Sequence, residues 1–211
     1  MLERYKTVSG YGEHEILIQK SRFIAYVNRA ETEEAAQHFI EQIKKKHWNA
    51  SHNCSAYLIG ERNQIQKAND DGEPNGTAGI PILEVLKKRD LKDTVVVITR
   101  YFGGIKLGGG GLIRAYGRAT TEGLNITGII ERRLMQVIKT QIEYPLLGKV
   151  ENEIRSSTFE LKEIEYVENV VISTYVEEPL IAEYEAWMTE ITNGQALITK
   201  EERLYLNKNL E

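Results

Sequence analysis

The feature that most constrains the fold of this chain is an apolar strand that runs into a glycine-rich loop and then into a helix. The run "TVVVIT" (94–99) has no polar alternation, which is typical of a strand buried on both faces. The next twenty residues, "RYFGGIKLGGGGLIRAYGRA" (100–119), hold seven of the 17 glycines of the chain. Because glycine accepts positive φ angles, this composition predicts a tight strand-to-helix turn.

A loop of this kind suits an anion. Its N–H groups and the free N–H groups of the helix N-terminus point to one place, where the helix dipole also favours negative charge. Neither common nucleotide motif is present, however. Lys106 is followed by Leu107 rather than Ser or Thr, which excludes a Walker A loop, and the sixth position from Gly108 is Ile113 rather than glycine.

Four cations surround this loop. Arg114 and Arg118 are four residues apart, so they lie one turn above the other on the predicted helix, and only Arg118 has an acidic residue, Glu122, within one turn. Together with the cations before and within the loop, they predict a compact cationic face. The candidate nucleic-acid or anion-binding residues are Arg100, Lys106, Gly108, Gly109, Gly110, Gly111, Arg114 and Arg118.

Aromatic residues are interleaved with these cations. Tyr101, Phe102 and Tyr116 could stack on nucleic-acid bases. Helical spacing, in contrast, assigns Tyr116 to the core together with Leu112 and Ala115. The residues alone leave both interpretations open: a surface for an anionic partner, or core aromatics beside a solvated cationic face.

Three carboxylates occur in "NDDGEPNGTAG" (69–79). Asp70, Asp71 and Glu73 are weak candidates for a Mg²⁺ site, because their spacing is not that of an EF-hand and no second acidic cluster accompanies them. Asp-Gly and Glu-Pro are also ordinary turn sequences, and we favour that interpretation. We therefore expect neither a metal nor a cofactor.

A second weak cluster is "HWNASHNC" (47–54). Its three potential zinc ligands lack a fourth, since no CxxC or HxxxH pair is present. His52 and Cys54 are two apart in a predicted strand and could form a base–nucleophile pair, but they lack an evident orienting partner. We favour a structural role and assign no catalytic residue.

The remaining patterns predict an α+β protein of two domains, residues 1–134 and 135–211. In the first, "TEEAAQHFIEQIKKKH" is typical of a helix capped by Thr32. The second has the order β-α-β-β-α-β of a ferredoxin-like domain. Its clearest element is a helix with an apolar stripe that includes Tyr184 and Met188, begun by Pro179 and ended by Asn193-Gly194.

Charge differs between these two parts. Residues 1–134 hold 20 Lys and Arg against 16 Asp and Glu, a net +4, whereas residues 135–211 hold 7 against 15, a net −8. This asymmetry suggests different partners for the two domains. The single cysteine fits a reducing compartment, and we find neither a signal peptide nor an apolar run long enough to cross a bilayer. We expect a cytoplasmic protein that does not bind membranes.

Two long segments resemble the signatures of the YigZ/IMPACT family: "NDDGEPNGTAGIPILEVL" (69–86) and "TRYFGGIKLGGGGLIRAYGRA" (99–119). The C-terminal half resembles the smaller domain of the bacterial members. Asn75 replaces an expected serine, and Gly110 is one glycine more than the usual loop. The resemblance implies a ribosomal protein S5 domain 2-like fold, followed by a ferredoxin-like domain similar to one in elongation factor G.

Eukaryotic members of this family are translational regulators, and both implied folds recur in translation proteins. We therefore expect a non-enzymatic protein that contacts RNA or the ribosome and modulates translation. Its acidic C-terminal domain would bind protein or orient the first domain. Two alternatives remain: an enzyme that acts on a phosphorylated small molecule at the glycine loop, and a protein-interaction module.

Overall fold

The computed structural model describes residues 1–210, and its contacts divide the chain into two compact units. The N-terminal unit contains Tyr5–Glu131 and the last residues of the chain. The C-terminal unit contains Arg132–Leu206 together with Met1–Arg4. Glu211, which ends the predicted second domain, lies outside the described residues.

Ten strands and five α-helices are formed by residues 1–210, and both predicted classes of element are present. In chain order they are β1 (Arg4–Val8), β2 (Gly12–Ile18), β3 (Ser21–Arg29), α1 (Glu33–Lys46), β4 (His52–Ile59), β5 (Ile65–Asn69), α2 (Gly79–Lys88), β6 (Thr94–Tyr101), α3 (Gly109–Thr127), β7 (Ile129–Ile142), α4 (Leu147–Ser156), β8 (Glu160–Tyr166), β9 (Val170–Glu177), α5 (Ile181–Ile191) and β10 (Leu197–Asn209). The α+β class and the two-domain architecture are as predicted.

An antiparallel sheet of five strands, in the order β2-β3-β6-β4-β5, forms the N-terminal unit. One face packs on α1 and the other on α2 and α3. The central strand β6 is buried on both faces, as its sequence predicted: Val95 and Val97 join the α1 core, whereas Val96 and Ile98 join the opposite core. This central position fixes where the glycine loop starts.

Local sequence signals explain where α1 begins and which face of α3 is buried. Thr32 caps α1, as predicted, by accepting a hydrogen bond of 3.2 Å from the N–H of Ala35. In α3, the residues at helical spacing are buried, including Leu112, Ala115 and Tyr116. The helix therefore lies with this face on the sheet and its other face in solvent.

The C-terminal unit has the predicted ferredoxin-like arrangement. β7 pairs with β9, β9 with β8, and β10 with β7, while α4 and α5 contribute to one apolar core. Asn193 and Gly194 have positive φ angles and end α5, as predicted. Two strand features differ from the expectation. β7 begins at Ile129, whereas the pattern "QVIKTQIEY" (136–144) predicts a strand that begins at residue 136. The N-terminal strand β1 was not predicted, because five residues carry too little pattern.

Among residues 1–210, none of the helices combines the length and the apolar character needed to cross a membrane.

Candidate functional site

A buried pair of opposite charges lies beneath the two glycine-containing loops of the N-terminal unit. The carboxylate of Glu73 accepts a hydrogen bond of 2.6 Å from Arg100 and one of 2.8 Å from the Tyr116 hydroxyl. Only 3% of the Glu73 side chain and 6% of the Arg100 side chain are exposed. Because Arg100 lies near the end of β6, Tyr116 lies in α3 and Glu73 lies in the 70–79 loop, the cluster ties these three segments together.

This cluster keeps its tyrosine protonated. Burial, and then the neighbouring Cys54 and Glu73, raise the pKa of Tyr116 well above its ordinary range. The hydroxyl therefore retains the proton that it donates to Glu73.

Asp70 holds the 70–79 loop on the N-terminus of α2. Its carboxylate accepts hydrogen bonds from three backbone N–H groups: Gly76 at 2.8 Å, Ala78 at 3.0 Å and Gly79 at 2.8 Å. Burial opposes ionisation here, but these three donors favour the carboxylate, and the net effect lowers the pKa of Asp70. The chain thus supplies its own anion to the start of α2.

The other candidate metal ligands are also occupied. Asp71 forms an ion pair of 2.6 Å with Lys44 and accepts a hydrogen bond of 2.7 Å from the N–H of Asn53. His52 donates through Nδ1 to the Asp71 carbonyl at 2.9 Å, and its Nε2 lies 3.8 Å from Glu73. Within residues 1–210 there is no group of three His, Cys, Asp or Glu residues arranged to hold a metal ion. Asp70, Asp71 and Glu73 therefore act as loop anchors.

The lone cysteine is structural as well. Cys54 is buried, with Sγ 3.0 Å from the carbonyl oxygen of Asp70 and 3.3 Å from the Tyr116 hydroxyl. Burial raises the pKa of the Cys54 thiol to about 12, so the thiolate needed for nucleophilic attack is disfavoured. This agrees with the structural interpretation of the 47–54 segment.

The glycine loop packs tightly at its start and is open at its end. A Cβ atom at Gly103 would overlap the carbonyl oxygen of Lys20, which belongs to the β2–β3 turn. Gly108, in contrast, has open space around its Cα, and its φ of 71° lies in the left-handed region that favours glycine. Gly103 therefore fixes the loop on the sheet, while Gly108 turns the chain into α3.

Among the described residues no side chain caps the N-terminus of α3, and the first turn of this helix holds no acidic residue. The first intrahelical bond runs from the N–H of Leu112 to the carbonyl of Gly108, so the N–H groups of Gly109, Gly110 and Gly111 precede the helical ladder. Gly109 and Gly110 are exposed. These N–H groups are available to an external anion.

Of the four predicted cations, Arg114 lies beside these N–H groups, and Lys106 precedes them in the glycine loop. Lys106 and Arg114 are exposed, and within residues 1–210 neither forms an ion pair. The Arg114 guanidinium lies 3.6 Å from the point that a Cβ of Gly110 would occupy, so it extends back along the first turn of α3. A cavity of about 260 Å³ beside it is lined by residues of the β2–β3 turn and of α3, among them Gln19 and Gly111.

The other two predicted cations are already engaged. Arg118 is exposed but bonded to Glu122 at 2.6 Å. Arg100 was expected on the cationic face, and this is wrong: the residue is only 5% exposed and is held by Glu73 between the rings of Phe23 and Phe102, 5.3 and 5.5 Å from their centroids. Its position at the end of a doubly buried strand explains the difference.

The interleaved aromatics separate into core and surface. Tyr116 is fully buried, and Tyr101 is half-buried with its hydroxyl 2.8 Å from Nδ1 of His47. Phe102 is 49% exposed. Tyr116 is therefore in the core, as its helical spacing predicted, and Phe102 is on the surface.

Two surface residues near this loop were not predicted. Lys20 is exposed on the turn that contacts Gly103, and Trp48 is 83% exposed in the turn before β4. The residues "QK" (19–20) are an ordinary polar turn, so only the fold brings Lys20 to the loop. The exposure of Trp48 could have been predicted, because a tryptophan in the polar segment "HWNASHN" has no apolar face to join.

Comparisons with known proteins match both units. The family model described as Impact N-terminal domain matches residues 19–124, and one described as a domain of unknown function, DUF1949, matches residues 140–195. IMPACT family member YvyE of Bacillus subtilis (strain 168) is 62% identical over 208 residues, which are 99% of this chain and 96% of that protein. IMPACT family member YigZ of Escherichia coli (strain K12) is 31% identical over 179 residues, 84% of this chain and 88% of that protein.

A solved structure gives the same architecture. It is described as the crystal structure of an hypothetical protein, has a TM-score of 0.61 and is 28% identical, over 96% of this chain and 99% of that one.

Proposed function

This chain belongs to the IMPACT family, and we propose that it is a non-enzymatic cytoplasmic protein that binds RNA, free or within the ribosome, and thereby modulates translation. The proposed contact is the phosphate backbone of the RNA, on the surface formed by Lys20, Lys106, Gly108–Gly111 and Arg114, which we call the loop surface. The part of the proposal that concerns translation rests on the family resemblance.

The observation that carries the proposal is the open N-terminus of α3. Its first N–H groups have no side-chain acceptor among residues 1–210, and the Arg114 guanidinium, which forms no ion pair within that range, extends beside them. Backbone N–H groups at a helix N-terminus and arginine are both preferred donors to phosphate oxygens. Glycine at 108–111 leaves out the longer side chains that would hold a phosphate away from these donors.

The neighbouring cations extend this surface beyond a single phosphate. Lys106 lies within the loop, and Lys20 lies on the turn packed against Gly103. Arg118 is one turn beyond Arg114, but its bond to Glu122 has to open before it reaches an RNA. Several cations spaced along one surface suit a polyanion, since each neutralised phosphate releases counterions and adds to the affinity.

In this proposal the acidic C-terminal unit contacts protein. Its strand β8 carries exposed acidic residues, among them Glu163 and Glu165. Negative charge at this density disfavours an RNA backbone and suits a basic protein surface.

The test is fluorescence anisotropy of a labelled single-stranded RNA across a salt series. For wild-type protein the logarithm of the binding constant should fall with the logarithm of salt concentration, by about 0.7 for each phosphate contacted. The double reversal Lys106→Glu with Arg114→Glu should weaken binding and reduce that slope by about 1.4, because two phosphate contacts are lost.

A matched control is the double reversal Lys6→Glu with Arg62→Glu. Both are exposed cations of the same unit, at the opposite end of the sheet from the loop surface. This variant should keep the wild-type slope. The proposal is contradicted if wild-type protein fails to bind RNA at low salt, or if the two double variants behave alike. In the first case, a thermal-shift screen with phosphorylated metabolites would test the small-molecule alternative at the same N–H groups.

A further inference from the structure

Two exposed aromatic side chains lie at the start of the glycine loop and in the turn joined to it. Phe102, the first residue after β6, is 49% exposed, and Trp48, in the turn between α1 and β4, is 83% exposed. Large aromatic rings normally contribute to cores and interfaces, so their exposure beside a cationic surface calls for an explanation.

Hydrogen bonds join the segments that carry these two residues. The N–H of Phe102 donates to Ser51 Oγ at 3.0 Å, and the N–H of Ser51 donates to the Arg100 carbonyl at 2.9 Å. The Tyr101 hydroxyl also donates to Asn49 at 3.3 Å. The turn that contains Trp48 and the start of the glycine loop are thus connected through the residues that follow the tryptophan.

The Phe102 ring is supported from within the protein. The guanidinium of Arg100 lies 5.5 Å from its centroid, and Glu73 holds that guanidinium in place. One side of the ring therefore rests on a fixed cation, while nearly half of the residue remains in solvent. Because this ring is already ordered in the free protein, little further conformational entropy is lost when it binds a planar partner.

We infer that Phe102 and Trp48 stack on unpaired bases of the bound RNA, so that the ligand is single-stranded rather than duplex. This inference rests on the proposed function, because the phosphates of the same RNA lie on the loop surface. In a duplex the faces of the bases are stacked on one another, whereas in single strands and loops they are open to aromatic side chains.

Leucine substitutions separate stacking from charge. Phe102→Leu and Trp48→Leu keep apolar side chains but remove the aromatic faces. Each should lower the affinity for a 12-nucleotide oligouridylate by about fivefold or more, and leave the salt slope unchanged because no phosphate contact is lost. Affinity for a 12-base-pair RNA duplex should not change. Tyr166→Leu is the control, since Tyr166 is an exposed aromatic residue of the C-terminal unit.

Tryptophan emission gives a direct signal. The chain has two tryptophans, and Trp187 stacks on Phe159 in the C-terminal unit. In the Trp187→Phe variant Trp48 is the only tryptophan, and its emission should be quenched as oligouridylate is added.

The outcomes separate this inference from the proposed function. If wild-type protein binds neither oligouridylate nor the duplex at low salt, both are overturned; if it binds the duplex but not oligouridylate, only the inference is overturned. If it binds with a steep salt dependence, but the leucine variants bind equally well and Trp48 emission is unchanged, only stacking is overturned. Stacking is also overturned if the leucine variants, shown by circular dichroism to be folded, lose duplex and single-strand binding to the same extent.

Discussion

Two helices of the N-terminal unit start beside each other in space, but only one of them, α2, has a carboxylate from the described part of the chain at its N-terminus. The start of α2 is neutralised by the chain itself, because Asp70 accepts hydrogen bonds from the N–H groups of Gly76, Ala78 and Gly79. Within residues 1–210 no side chain caps the start of α3; the Arg114 guanidinium lies beside it, and Lys106 precedes it in the loop. Thr77 lies 3.9 Å from the point that a Cβ of Gly109 would occupy, so the two starts are neighbours.

This difference indicates which glycine-containing loop has a structural role and which one is open to an external anion. In both, glycine permits backbone angles or close approaches that other residues resist. Only at α2 does a carboxylate of the chain fill the anion position that the helix dipole creates. The sequence resemblance covers both segments equally, so only the hydrogen bonds separate their roles.

The largest effect is expected from the charge pair beneath both loops. Glu73→Gln removes the charge that balances Arg100, and leaving a buried charge unpaired should lower the free energy of unfolding by about 3 kcal/mol. Urea denaturation followed by circular dichroism measures this. Glu41→Gln, at an exposed position of α1, is the control and should be neutral. Equal stability of the two variants would show that the pair does not hold the loops.

A smaller effect is expected from removing the anion at α2. Asp70→Ala should lower the free energy of unfolding by about 2 kcal/mol, because three N–H groups lose their acceptor. Glu84→Ala, on the exposed side of the same helix, should change it by less than about 0.5 kcal/mol. RNA binding at the loop surface should remain measurable in both variants.

The Asp70 effect should depend on pH in one direction. The pKa of this carboxyl is lowered in the folded protein, so its contribution is present above its ordinary value of 3.8 and is lost as the pH falls through the folded value. The difference in stability between wild type and Asp70→Ala should therefore be constant near neutral pH and shrink in acid. Urea titrations at several pH values test this, and a difference that grew in acid would contradict the assignment.

The smallest effect is expected at Arg118. Its guanidinium is exposed and bonded to Glu122, and such surface pairs contribute about 0.3–0.5 kcal/mol. Arg118→Gln should change both stability and RNA affinity little, whereas Arg114→Gln, one turn earlier, should weaken RNA binding more. Anisotropy of the two single variants compares them. A larger loss at Arg118 would mean that the RNA lies further along α3 than the loop surface.

The sequence predicted the fold to a large extent because the fold depends on local patterns. The unbroken apolar run of β6, the Thr32 cap of α1 and the helical spacing that buries Tyr116 are all readable within a few residues. The ferredoxin-like order followed from the same signals. β1 was missed because a short strand is specified by its partners rather than by its own sequence.

The candidate site was less predictable because its contacts join distant residues. Arg100 and Glu73 are 27 residues apart, and nothing in the pattern around Arg100 indicates that it is buried against a carboxylate. Lys20 reaches the loop surface only because the β2–β3 turn packs on Gly103. The glycines were evident in the sequence. Only the hydrogen bonds of Asp70, however, show that the loop before α2 already contains an anion.

The central claim is that the open N-terminus of α3 receives phosphate, and Gly110→Asp tests it most directly. This substitution gives α3 a carboxylate of its own, as Asp70 gives α2, and a Cβ at this position meets only the Arg114 guanidinium at 3.6 Å. Gly110→Ala is the matched control that adds the Cβ without the charge. In anisotropy titrations at low salt, Gly110→Asp should bind single-stranded RNA about tenfold more weakly than wild type, and Gly110→Ala within about twofold. Wild-type affinity in folded Gly110→Asp would contradict the account.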